Sequence, residues 1–179
     1  MRKQGILRMA AAGMMAVAMM AAAGAAKAQG SAAAAGSDTV LKPAEMEKLL
    51  PPSVYYRGQT ANTQLRNSGG VKFADGFYVL ATKVDTGGYA TGVAEKYQAY
   101  FITEVPLKVG GENLAAGVYG VGFIGDNKFA VTDVGGHDVL TVNAGEDAGM
   151  KRPMPLEIVI DPAGGFRLYA GRKYVLFSR

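Results

Sequence analysis

Apolar and polar positions alternate loosely along the second half of the chain. In 77–84, Phe77, Val79, Ala81 and Lys83 fall on one face of an extended segment, and Tyr78, Leu80, Thr82 and Val84 on the other. The stretches 97–105, 117–124, 128–134, 138–142, 156–160, 166–169 and 173–177 share this β-forming character. Gly, Asn and Asp punctuate them, as at Asp85-Thr86-Gly87-Gly88, Gly125-Asp126-Asn127 and Pro162-Ala163-Gly164-Gly165. Short strands separated by such turns predict an all-β fold, a single antiparallel β-sandwich or small barrel of about eight to ten strands. The hairpins linking 156–160, 166–169 and 173–177 are the clearest.

One helix is predicted, over 43–50. Pro43 suits a first helical position, Glu45 and Glu47 lie near the start, Lys48 lies near the end, and Pro51-Pro52 stops it. No other segment shows a clear helical pattern. Strict polar-out alternation would leave one face of a sheet wet. Here the second faces are half apolar: Tyr78, Leu80 and Val84 in one strand, Tyr100 and Ile102 in another. They need a cover, which the expectation draws from the protein's own parts.

Charge and composition alter the picture at the amino-terminus. The 179 residues carry 19 Lys and Arg against 15 Asp and Glu, a net charge of +4. Four of those bases, Arg2, Lys3, Arg8 and Lys27, lie in the first 28 residues, which hold no acid, so the remainder carries 15 against 15. A basic start, an uncharged run over 9–26 and the small residues Ala26 and Ala28 make the three-part pattern of an export signal, with cleavage expected after Ala28. The expected organisation is a signal peptide over 1–28, a flexible Gly/Ser/Ala linker over 29–38 and one β-rich domain over 39–179. The expected location is outside the cytoplasm, periplasmic or secreted, with membrane contact only through the signal during export. A neutral mature chain argues against nucleic acid as a partner. The absence of Cys excludes a disulfide framework, lipid attachment at the signal, thiolate metal sites and thiol nucleophiles.

Candidate chemistry is sparse. Gly120-Val121-Gly122-Phe123-Ile124-Gly125 has the spacing of a dinucleotide fingerprint, but that motif needs a strand turning into a helix. Here a turn and another strand follow, so the glycines read as sites of close packing or a bulge. His137 is the single His, in Asp133-Val134-Gly135-Gly136-His137-Asp138. His137, Asp138 and Asp133 are the candidate catalytic residues, although no Gly-x-Ser-x-Gly elbow accompanies them. Asp133 and Asp138 could also contribute oxygens to a calcium loop, but turn stabilisation explains them as well. Glu104 and Glu157 sit at strand positions and read as solvent-facing. Arg167, Tyr169, Arg172, Lys173 and Tyr174 read as an exposed sheet face with Tyr edges.

Tyr55, Tyr56, Arg57 and Arg66 are the candidate binding residues. They stand in the two most distinctive polar-aromatic stretches, and Tyr and Arg are favoured in binding surfaces. An ordinary edge hairpin is the simpler explanation of the same residues.

Three segments carry a resemblance. Pro51-Pro52-Ser53-Val54-Tyr55-Tyr56-Arg57-Gly58-Gln59, Glu95-Lys96-Tyr97-Gln98-Ala99-Tyr100 and Arg167-Leu168-Tyr169-Ala170-Gly171-Arg172 are similar to a group of uncharacterised exported proteins of soil bacteria. The likeness spans most of Leu50 to Ser178 and implies no function. Leu114-Ala115-Ala116-Gly117-Val118-Tyr119 resembles a turn-into-strand pattern of secreted β-sandwich modules, which bears on fold alone. The function expected is an exported, non-catalytic binding or envelope-associated module that needs no cofactor, its ligand or protein partner unknown. The alternatives are a cofactor-free secreted hydrolase using carboxylates or His137, and a small barrel carrying an apolar ligand.

Overall fold

A computed structural model of the chain describes residues 36–179. The expected export signal, its cleavage point after Ala28 and residues 29–35 of the expected linker lie outside the described residues. Asp38, at the end of that linker, accepts a hydrogen bond from the Ala74 amide at 3.0 Å.

In chain order the strands are β1 (Thr39–Leu41), β2 (Ser53–Tyr56), β3 (Gln59–Lys72), β4 (Tyr78–Val84), β5 (Ala99–Thr103), β6 (Leu107–Val109), β7 (Glu112–Leu114), β8 (Gly117–Ile124), β9 (Lys128–Thr132), β10 (Asp138–Asn143), β11 (Gly145–Glu146), β12 (Met154–Ile160), β13 (Phe166–Gly171) and β14 (Lys173–Ser178). Helix α1 (Pro43–Met46) follows β1, and helix α2 (Thr91–Lys96) precedes β5. One sheet has the order β1-β3-β4-β5-β8-β9-β10, with β2 also paired to β3; the second has the order β12-β13-β14-β6-β7, with β11 paired to β14. Every pairing is antiparallel. The fold is an all-β sandwich.

The expected strands are all present, and the structure adds more than the eight to ten counted from the pattern. β1, β6 and β7 have three residues each and β11 has two, too short to show a period. β3 was hidden for another reason: its 14 residues are mostly Gln, Thr, Asn, Ser and Gly, and its first half is largely solvent-facing. Helix α2 was not expected at all, because its six residues include Gly92 and bury none of their side chains fully. α1 is shorter than the 43–50 expected; after Met46 the chain continues in turns, with the Leu50 amide donating to the Met46 carbonyl at 2.9 Å.

Alternation decides what each sheet face meets. Val79 and Ala81 of β4, Phe101 of β5, Val121 of β8, Phe129 and Val131 of β9, Leu168 of β13, and Val175 and Phe177 of β14 point between the sheets and form the main core. Phe166 stacks on Phe177 with centroids 5.3 Å apart, and Phe101 meets Phe177 edge-on at 6.3 Å. The interior is filled: its cavity beside Phe123 and Leu168 measures about 10 Å³, room for one water. The barrel alternative is therefore set aside. The two sheets do not close on one another, and aromatic side chains occupy the space a lumen would need.

The half-apolar second faces are covered from within. On the outer side of the first sheet, Leu80 packs with Leu41, Met46 and Leu50 around α1. Beside it, Val54, Tyr56, Ala61, Val84 and Tyr97 form a separate cluster under β2 and α2. The glycines of β8 explain how these pieces fit. Gly120 and Gly122 both face outward, between inward-facing Tyr119, Val121 and Phe123. A methyl on Gly120 would lie 2.5 Å from the Tyr56 ring and 2.9 Å from the Tyr97 ring. One on Gly122 would lie 2.5 Å from the Glu95 carbonyl oxygen of α2. Both distances are below any normal contact, so only Gly fits.

This makes a prediction. Ala is normally favoured over Gly within a strand by about 0.5–1 kcal/mol, but overpacking costs about 1–3 kcal/mol. Gly120→Ala is expected to destabilise the protein by about 2 kcal/mol, read as a lowered urea midpoint at unchanged slope.

Candidate functional site

The β2–β3 hairpin turns through two residues, Arg57 and Gly58, since Tyr56 pairs directly with Gln59. Both have positive φ, 47° and 83°, as a tight primed turn requires. Gly58 meets this without strain. Arg57 does not, because an L side chain in the left-handed region costs roughly 1–2 kcal/mol, and Asn or Gly is the usual choice. The other non-Gly residues of positive φ among the described residues are Asp126 and Asn127, which suit that region.

Three contacts hold the strained tip in place. The Arg57 amide donates to the Val134 carbonyl at 2.8 Å. The Tyr56 hydroxyl shares a hydrogen bond with the Thr132 hydroxyl at 2.6 Å, and Thr132 in turn donates to the Gly120 carbonyl at 3.0 Å. The Tyr56 ring stacks on Tyr97 with centroids 3.7 Å apart and planes 12° from parallel. Tyr89 closes the cluster edge-on to both rings, its hydroxyl donating to the Tyr56 carbonyl at 3.0 Å. Burial and the neighbouring phenols raise the Tyr97 hydroxyl well above the ordinary tyrosine range, and that hydroxyl has no hydrogen-bond partner among the described residues.

The tip lies against the β9–β10 loop, which carries the other candidate group. Arg57 runs across Gly136: a methyl there would sit 2.9 Å from its Cδ. On the other side the His137 ring folds back over Gly135. Asp133 organises the loop, accepting from the His137 amide at 2.9 Å and meeting His137 Nδ1 through its other oxygen at 2.9 Å. The His137 backbone and side-chain hydrogen bonds hold the Asp133 carboxyl below the ordinary carboxylate range. Asp138 pairs with Lys96 of α2 at 2.7 Å, tying the loop to the helix. Five of the seven candidate residues thus meet at one end of the first sheet, with Tyr56 inside and Arg57, Asp133, His137 and Asp138 in the tip, the loop and the start of β10; Tyr55 is exposed on the face of β2 opposite to Tyr56.

The chemistry open to this group follows from its exposure. His137 is 83% exposed and its ring hydrogen-bonds only to Asp133, so no hydroxyl is poised on it as a nucleophile among the described residues. Both acids are engaged, Asp133 with His137 and Asp138 with Lys96. No three His, Asp or Glu side chains converge as metal ligands among the described residues. What faces solvent is different in kind: the Tyr55 ring, 58% exposed, the Arg57 guanidinium without an ion pair among the described residues, and Val134, 39% exposed. An aromatic ring, a free guanidinium and an apolar contact are the parts of a binding surface.

Arg66 lies elsewhere. β3 pairs Gln64 with Lys83 and then Ser68 with Thr82, so Leu65, Arg66 and Asn67 bulge out of register. The Ser68 hydroxyl donates to the Leu65 carbonyl and the Asn67 amide to the Gln64 side chain, closing the bulge on itself. Arg66 is exposed there, on an open groove beside Glu47 and Pro52. Glu104 is exposed and accepts from the Tyr78 amide at 2.8 Å, a local strand-end contact, while Glu157 is only half-exposed in β12. The carboxy-terminal cluster is less open than its sequence suggests. Tyr169 is buried, and Arg167 pairs with buried Asp161, bonds the Tyr169 hydroxyl at 3.2 Å and lies over the Tyr174 ring.

Sequence reasoning missed Thr132, Val134, Lys96 and Tyr89. The first three enter through β-pairing and loop docking, and no local pattern marks them. Tyr89 and Tyr97 flank α2, so an aromatic pair around an unrecognised helix was the available signal.

Replacing Arg57 separates its backbone strain from its side chain. Arg57→Asn is expected to raise stability by about 1 kcal/mol, seen as a melting temperature about 2–4 °C higher. A lower melting temperature would show that the side chain on Gly136 outweighs the turn. No protein-family model, no curated protein and no solved structure matches this chain.

Proposed function

We propose that the protein is an exported, non-catalytic binding module that engages a protein or envelope partner through the β2–β3 hairpin tip. The observation that carries this reading is the strained Arg57. A residue with φ of 47° stands where Asn or Gly would relieve the turn, and its side chain is displayed rather than paired. Backbone strain of this kind concentrates where function keeps a residue in place. Tyr55, exposed on the same hairpin, and Val134, whose carbonyl accepts from the Arg57 amide, supply apolar area at low conformational cost. A filled interior supports surface recognition over carriage of a ligand inside the sandwich. Export rests on the signal pattern of residues 1–28, and the likeness to exported proteins of soil bacteria accords with it.

The test is photo-crosslinking in intact producing cells. A photoreactive phenylalanine replaces Tyr55 in one strain and Leu176, exposed on the outer face of the second sheet, in another. A discrete adduct from position 55, absent from position 176 and reduced at least about tenfold by Arg57→Asn, is expected. Equal adducts from both positions, or none from position 55, would overturn the proposal.

A further inference from the structure

Alternation along β4 continues to the end of the sandwich, and its last inward position is a lysine. Val79 and Ala81 are core residues between the sheets, and Lys83 follows them on the same face. Lys83 pairs across the backbone with Gln64 on one side and Ala99 on the other, so its direction is fixed by two neighbouring strands. Its surroundings are the mouth of the inter-sheet space, lined by Phe123, Leu156, Leu168 and Ala170, with Gln98 as the polar neighbour; the Tyr169 hydroxyl is bonded to Arg167 on the other face of β13. No carboxylate lines this mouth, and Lys83 makes no ion pair among the described residues. Lys83 is only partly exposed, in contrast to Lys108 and Lys151, which are exposed.

A lysine at such a place is chemically unlike the others. An ammonium is strongly hydrated, and apolar walls without a counter-ion favour the neutral amine. Burial accordingly lowers the Lys83 pKa. The neutral amine is the nucleophile toward carbonyl carbon. The cavity behind it has room for one water, so an approaching carbonyl stays at the outer rim, where a short uncharged chain gains contact with partly buried Phe123 while a charged one loses hydration.

We propose that Lys83 is a covalent attachment site for small apolar aldehydes. The Lys83 nitrogen adds to the carbonyl carbon, and the resulting carbinolamine loses its oxygen as water to leave an imine. The step needs no oxidant or reductant. The imine is reversible, and the site is distinct from the hairpin tip, so it stands or falls apart from the binding role proposed above.

The test uses the full chain, folded, with butanal at neutral pH and cyanoborohydride to deliver hydride and fix the imine as a secondary amine. Peptide mass mapping then gives the labelling rate of each lysine. Lys83 is expected to react at least about threefold faster than Lys108 and Lys151. The preference is expected to vanish in urea and to shrink when glyoxylate, a charged aldehyde, replaces butanal. Lys83→Met removes the amine and keeps an unbranched side chain of similar length, so the fast site is lost while the fold is kept. Labelling of Lys83 at or below the rate of the exposed lysines would overturn the proposal, as would a preference that survives unfolding.

Discussion

The stack of Tyr56 on Tyr97 sets the geometry of everything that reaches solvent at one end of the first sheet. Tyr56 belongs to the hairpin and Tyr97 to the junction of α2 and β5, so one ring contact joins two segments far apart in sequence. It forms only because β8 presents Gly120 outward beneath it. Gly122, two positions along, receives the end of α2 in the same way. Once the rings are seated, the Tyr56 hydroxyl reaches Thr132 and the Arg57 amide reaches the Val134 carbonyl. Hairpin, helix and the loop carrying His137 are thereby placed together.

Magnitudes show why this contact must dominate. An αL arginine costs roughly 1–2 kcal/mol, and the unpartnered Tyr97 hydroxyl about 1–3 kcal/mol. Against these stand the aromatic pair, about 0.5–1.5 kcal/mol beyond its area, and two hydrogen bonds of about 1 kcal/mol each. Burial of the large apolar faces of Tyr56 and Tyr97 adds about 1.5–3 kcal/mol for each ring. Hydrophobic burial decides the balance, and the tip holds a strained residue because aromatic packing behind it is in surplus. The cover over the second face is therefore more than a means of hiding apolar side chains, since it also positions the exposed Tyr55 and Arg57.

The sandwich was legible because the inward residues of β4, β5, β8 and β9 alternate and the turns between strands carry Gly, Asn or Asp. The need for a cover was legible too, from Leu80, Tyr100 and Ile102 on the second faces. The cover itself was not. β3 is polar in composition and is held by neighbours on both sides, and α2 is too short to show a helical period. The alternating glycines of β8 read as close packing, but only the fold could say that Tyr56, Tyr97 and α2 are what they admit. At the site, Arg57 stood out in sequence while its strain did not, because φ depends on the turn length that Tyr56↔Gln59 pairing imposes. Arg66 shared the same sequence character and lies on a separate bulge, since composition carries no information about which face a residue occupies.

Amide exchange at Arg57 tests the central role of the stack most directly. Its N–H is bonded to Val134, while Tyr97 lies in a different segment and contacts the hairpin through the ring. In Tyr97→Leu, the Arg57 amide is expected to exchange at least about tenfold faster, with the amides of β13 in the second sheet unchanged. An Arg57 amide that keeps its wild-type protection in that variant would contradict the account, because the hairpin tip would then hold its place without the stack.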